Sequence, residues 1–138
     1  IRVTSRASIP FANAIWPNRV PGQALGVTSC GDYDPGDPAR NRYLNVNAFA
    51  TAAPFTFGNI SQLPDRRLCG YQEENFGIDK EFPIRERTTV RFGSLLQNAF
   101  NRVNWRTLNT DINNTASFGR YQDSYPGRNI QFYLRVDF

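Results

Sequence analysis

The sequence predicts an all-β chain, and three observations carry that prediction. The closing stretch "NIQFYLRVDF" alternates apolar Ile130, Phe132, Leu134, Val136 and Phe138 with Gln131, Tyr133, Arg135 and Asp137. Successive side chains of a strand point to opposite faces, so a period of two reads as a strand with one apolar side. Two further stretches, "FGIDKEFPI" and "TTVRFGSLLQ", repeat the pattern less cleanly. The connections come in two kinds, one tight and charged, the others long and rich in Gly, Pro and Asn.

Taken in order, residues 1–9, "IRVTSRASI", are β-branched at Ile1, Val3, Thr4 and Ile9 and end at Pro10, which predicts a strand. Residues 10–71 are punctuated by Pro17, Pro21-Gly22, Pro35-Gly36, Pro54 and Pro64 and predict a long loop. Strands are expected over about 75–83, where Phe76, Ile78, Lys80 and Phe82 share a face, and over 88–97, where Val90, Phe92 and Leu96 do. Arg85, Glu86 and Arg87 make the turn between them. Residues 98–128 predict a second long loop, and 130–138 the last strand. Leu95, Leu96, Ala99, Phe100 and Val103 also fit helical spacing, so 93–104 keeps a short helix as its alternative.

At 138 residues the chain is one domain or a piece of something larger. It starts without Met and without a signal-peptide pattern, which reads as a mature or cut product. No apolar run approaches the roughly 20 residues of a membrane helix. The mean hydropathy of -0.52 argues against a helical membrane bundle. It leaves a transmembrane β-barrel open, because alternating strands average to mild hydropathy.

The net charge is +4, from 15 arginines and Lys80 against the acids. The basic residues are scattered among acidic ones, so a mixed solvated surface is expected and no nucleic-acid partner. Cys30 and Cys69 sit in loop-like stretches and read either as one disulfide in an oxidising compartment or as two free thiols. There is no histidine, which removes Ser/His and Cys/His nucleophiles; no enzyme is expected. Asp32, Asp34 and Asp37 lack the glycine and closing Glu of a calcium loop and read as turn carboxylates. No metal site and no cofactor is expected. Tyr133 and Trp105, in or beside strands, are candidates for membrane-interface aromatics.

Long connections on one side and a tight turn on the other is the asymmetry of outer-membrane barrels. Residues 130–138 offer nine positions, close to the about 9–11 residues of a tilted membrane strand. On that reading the strand ends at the periplasmic rim, beside the turn at 83–87.

The segments Arg42–Ser61, "RYLNVNAFATAAPFTFGNIS", and Asn75–Trp105, "NFGIDKEFPIRERTTVRFGSLLQNAFNRVNW", followed by "NTDINNTASFGR" and the closing "RNIQFYLRVDF", resemble the C-terminal end of bacterial TonB-dependent outer-membrane receptors of the Oar-like type. The resemblance covers roughly residues 40–138. It implies the last strands and loops of a plugged barrel of about 22 strands. It also implies that Ile130, Phe132, Leu134, Val136 and Phe138 form the signal read by the outer-membrane assembly machinery. These residues hold neither the plug nor the energy-coupling box, so a C-terminal fragment is expected, with transport residing in the parent.

An excised wall segment exposes unpaired strand edges and apolar stripes. As an isolated chain it is therefore expected to be open-edged and to stack with copies of itself as a cross-β, amyloid-like filament, extracellular if released. Windows such as "IQFYLRV" carry no proline and little charge; nine prolines elsewhere restrict what stacks. A soluble β-domain that binds a ligand through its long loops is the alternative.

Overall fold

In the computed structural model of the chain, residues 1–6 and 14–138 are described. Among the described residues nine strands follow one another: β1 Ser5–Arg6, β2 Ala14–Ile15, β3 Asn18–Arg19, β4 Phe49–Ala50, β5 Phe76–Arg85, β6 Thr88–Gln97, β7 Trp105–Leu108, β8 Tyr121–Ser124 and β9 Asn129–Asp137. A 3-10 turn, Val46–Ala48, precedes β4. Among the described residues every strand pair is antiparallel and no sheet closes on itself. Among the described residues no helix is long and apolar enough to cross a membrane. The expected all-β class is the observed one.

The chain divides into two compact units, one made of Ile1–Cys69 with Trp105–Ser124, the other of Gly70–Asn104 with Tyr125–Phe138. The first unit has little regular structure but a well-packed core. Tyr33 meets Trp105 and Tyr121 edge to face, with ring centres 4.9 Å and 5.3 Å away. Its hydroxyl accepts from the Tyr121 N–H at 3.0 Å and donates to the Tyr121 carbonyl at 3.4 Å. Tyr43 donates to the Arg67 carbonyl at 2.6 Å, and the Arg66 guanidinium lies 4.0 Å above the Tyr43 ring. Leu44, Val3 and Phe118 are completely buried beside them. Burying each such side chain contributes about 1.5–3 kcal/mol, which is how a unit of short strands can hold together. Gly119 closes it: its φ of 74° is left-handed, and a Cβ there would strike the Leu44 backbone.

This unit changes three sequence expectations. Where a strand is expected over 1–9, a two-residue strand, Ser5–Arg6, pairs with Ala14–Ile15, Arg2 and Thr4 make isolated bridges to Gln62 and Asp111, and residues 7–9 lie outside the described residues. Val3 and Ser5 point into the unit's core, at 0% and 1% exposure, so the β-branched start packs inward rather than adding a strand to the long sheet. The stretches read as loops, 10–71 and 98–128, contribute most of this core. Trp105, expected at a membrane interface, packs against Tyr33 and Tyr121 instead.

The second unit is built on the sheet β5-β6-β9, an antiparallel meander in chain order. Its strands occupy Phe76–Arg85, Thr88–Gln97 and Asn129–Asp137, against expectations of 75–83, 88–97 and 130–138. The β6–β9 register runs without a break from Thr89↔Asp137 to Gln97↔Asn129. The β5–β6 register slips once, between Pro83 and Arg85. Pro83 has no N–H to give the ladder, and a bulge on an outer strand absorbs that loss. Helix is not continued past β6: Asn98 and Asn101 take left-handed φ values of 49° and 53°, a conformation asparagine tolerates, and the chain turns away.

Candidate functional site

The register sorts the sheet's side chains onto two faces. One carries Phe76, Ile78 and Phe82 of β5, Val90, Phe92 and Leu96 of β6, and Ile130, Phe132, Leu134 and Val136 of β9. Phe92 stacks on Phe132 with ring centres 6.1 Å apart. Lys80, across from Phe92, Ser94 and, at the turn end, Thr88 with Arg85 across from it are the polar members of this face. The face is open: Phe132, Leu134 and Ile78 are 69%, 67% and 66% exposed. A continuous apolar patch of this extent needs a covering medium. Four of the five residues expected to form an assembly signal lie together on it, and Phe138 extends past the end of β9 with 99% exposure.

The opposite face is mainly polar, with Leu95 as an apolar member. Glu81 and Arg91 pair across β5 and β6, and Arg135 bonds Asp137 at 2.8 Å. Tyr133 belongs to this face and lies over Gly93, so it is not part of an outward aromatic girdle. A Cβ at position 93 would collide with the Tyr133 ring and with Asp79. Gly93→Ala is therefore expected to destabilise the folded wall by about 1–3 kcal/mol, as overpacking does. Adding Tyr133→Ala to the same chain should recover most of that loss, and a denaturant-titration double-mutant cycle reads it.

One end of the sheet closes with the two-residue turn Glu86–Arg87. At the other end asparagines tie the chain into a rim. Asn98 is 3% exposed and bonds Arg102 both ways, its Nδ2 donating to the Arg102 carbonyl at 2.9 Å and its Oδ1 accepting from the Arg102 N–H at 2.8 Å. The Asn98 N–H donates to Asn75 Oδ1 at 2.9 Å. Asn104 bonds the backbone of Gln72 through both side-chain atoms, each at 2.8 Å.

Arg102 Nε reaches both oxygens of Glu74 at 2.9 Å. That hydrogen bond, chiefly, holds the Glu74 carboxyl below its ordinary value of 4.5. A depressed folded pKa means the pairing is complete above about pH 4.5 and is lost as pH falls through the lower folded value. A carbon-detected NMR titration should place the Glu74 midpoint below the ordinary glutamate range, and Arg102→Gln should bring it back up.

Inside this rim lies a hollow of about 250 Å³ bordered by Tyr71, Glu73, Gln97, Asn98, Tyr125 and Asn129, with Pro126 and Gly127. Gln97 and Asn129 are register partners on the polar face. Tyr71 and Tyr125 meet edge to face, with ring centres 4.9 Å apart. The sequence offers no local motif for this hollow, because its residues come from three separate stretches; only the recurrence of asparagine around 98–104 hints at it.

The remaining candidates are structural in their contacts. Cys30 and Cys69 are joined in a disulfide, with Cα atoms 5.5 Å apart. Asp34 and Asp37 accept from the backbone of Gly36 and Ala39, each at 2.9 Å, and Arg40 Nε donates to Asp37 at 2.8 Å. Asp32 accepts from Ser29. These are turn bonds, with each carboxylate directed to its own loop.

A meander with one apolar and one polar face, a tight turn at one end and long excursions at the other, defines a class: the wall of a transmembrane β-barrel. The sequence profile described as "Outer membrane beta barrel domain" matches residues 2–131, and the chain belongs to that family. The family places it in the outer membrane. No curated protein and no solved structure is significantly similar to it.

Proposed function

We propose that the chain is the C-terminal part of a TonB-dependent outer-membrane receptor for nutrient uptake. One observation carries this reading: a single apolar face runs in register through β5, β6 and β9, while the other face carries Arg91, Arg135, Glu81 and Asp137. Lipid suits the first face and a watery lumen the second. The resemblance of Arg42–Ser61 and Asn75–Trp105 to receptor sequences adds the finer assignment. In this reading the partners are the outer membrane and its assembly machinery, which reads the face formed by Ile130, Phe132, Leu134, Val136 and Phe138. The protein is neither an enzyme nor a nucleic-acid binder, and it uses no cofactor. Import by cells carrying the complete receptor should stop when TonB is removed. Import that continues unchanged would overturn the receptor assignment and leave the barrel family untouched.

A second role is favoured by a separate observation. Among the described residues, the outer edges of β5 and β9 have no partner strand, and open edges pair with other chains. We propose that the chain, once released from its parent, assembles with itself into an extracellular cross-β fibre through this sheet. The disulfide-bonded first unit would ride along folded, since its rings and backbone are already bonded to one another. Detergent-free preparations should then give fibres with a repeat of about 4.8 Å along the axis. A sharp monomer on sizing with dispersed amide signals would remove this role.

A further inference from the structure

We propose that the rim hollow is a subsite for a neutral sugar ring. The proposal rests on the barrel reading only for the direction in which the hollow opens, since Gln97 and Asn129 belong to the lumen-side face. At about 250 Å³ it is smaller than pockets for drug-sized ligands, about 300–1,000 Å³, and has room for one ring of a longer chain.

The chemistry of its border selects the ligand. Tyr71 and Tyr125 remain 55% and 41% exposed although their rings fix each other edge to face. Such a pair presents rigid aromatic surface to an apolar ring face at little entropic cost. Beside it, the side chains of Gln97, Asn129 and Glu73 make no hydrogen bond within the described chain. Each carboxamide offers two donors and a carbonyl acceptor, and the carboxylate only accepts. Vicinal hydroxyls, which both donate and accept, match that mixture. No cationic side chain borders the hollow, so a phosphate or carboxylate ligand would face Glu73 without a counter-charge. An extended peptide lacks its usual foothold, because the strand edges here are already joined at Gln97↔Asn129.

The test is saturation-transfer NMR with calorimetric titration on the whole chain in detergent. Maltotriose, cellotriose and mannotriose are the probes; a galacturonic acid trimer and an uncharged tripeptide are the comparators. At least one neutral trisaccharide should bind. Tyr71→Ala and Gln97→Ala should each weaken it about tenfold, and Tyr71→Phe, which keeps the ring, should stay within about twofold. Three results would each overturn the subsite: no neutral trisaccharide bound, tighter binding of the acidic trimer or the tripeptide, or binding indifferent to both alanine variants. A sugar that binds here yet is not imported by energised cells would instead overturn uptake and leave the subsite standing.

Discussion

Leu134→Arg in the complete barrel protein is expected to lose about 2–4 kcal/mol of folding stability in a bilayer, as a cation on a lipid-facing strand near the midplane does. Leu134 is 67% exposed on the apolar face and sits across from Phe92, whose other neighbour is Lys80. That row already holds one cation. Lys80 can carry its charge toward the headgroups on a flexible stem, but a second cation on the same row has to share that route. Gln131→Arg, on the opposite face across from Leu95, is the control and should change stability by no more than about 0.5 kcal/mol. Urea titration in lipid vesicles, followed by the heat-dependent gel mobility of folded barrels, measures both. Equal losses at 131 and 134 would mean that the faces are assigned wrongly.

The second large effect belongs to the disulfide. Cys30 and Cys69 are 39 residues apart in sequence, and closing a loop of that length removes unfolded-state freedom equivalent to about 4 kcal/mol. The bond is also tied into the aromatic core, because the Cys69 N–H donates to the Tyr121 hydroxyl at 3.0 Å. Cys30→Ser with Cys69→Ser should therefore lower the stability of the first unit by about that amount, and reductant should do the same to the unmodified chain. The β5-β6-β9 sheet contains no cysteine and should keep its hydrogen-exchange protection. Loss of protection in both units together would show that the bond holds more than its own loop.

How much of this was legible in the sequence follows from the range of the forces involved. The three wall strands are written locally, since a period of two over nine or ten residues fixes both the strand and its faces; Pro83, which reads as the end of its run, is instead a bulge that β5 passes on its way to Arg85. The sequence leaves the pairing of Cys30 with Cys69 open between disulfide and free thiols, since spacing alone does not bring two loop residues together. The first unit reads as loops because its order comes from contacts between distant residues. Tyr33 finds Tyr121 across 88 positions, and Arg42 donates to the Phe118 carbonyl across 76. Pro and Gly punctuation describes the turns of such a unit and is silent about its core. Residues 1–9 misled for a related reason, since β-branched residues suit a strand and a buried irregular segment equally well. The rim hollow leaves no trace in the local sequence, because only the register brings Gln97 beside Asn129.

The two-piece make-up of the first unit has a consequence in time. A nascent or translocating chain presents Tyr33, Tyr43 and Leu44 long before Trp105, Phe118 and Tyr121 arrive to cover them, and the hairpin β5–β6 emerges in between. Contacts this distant in sequence form late and slowly. The disulfide lies wholly within the earlier piece and can close first, but it closes around a core that still lacks its lid. For that interval the protein shows an unsatisfied Tyr33 hydroxyl and uncovered apolar rings to the periplasm, and the binding of a holdase chaperone to residues 1–69 should be strongest before residue 121 has been delivered.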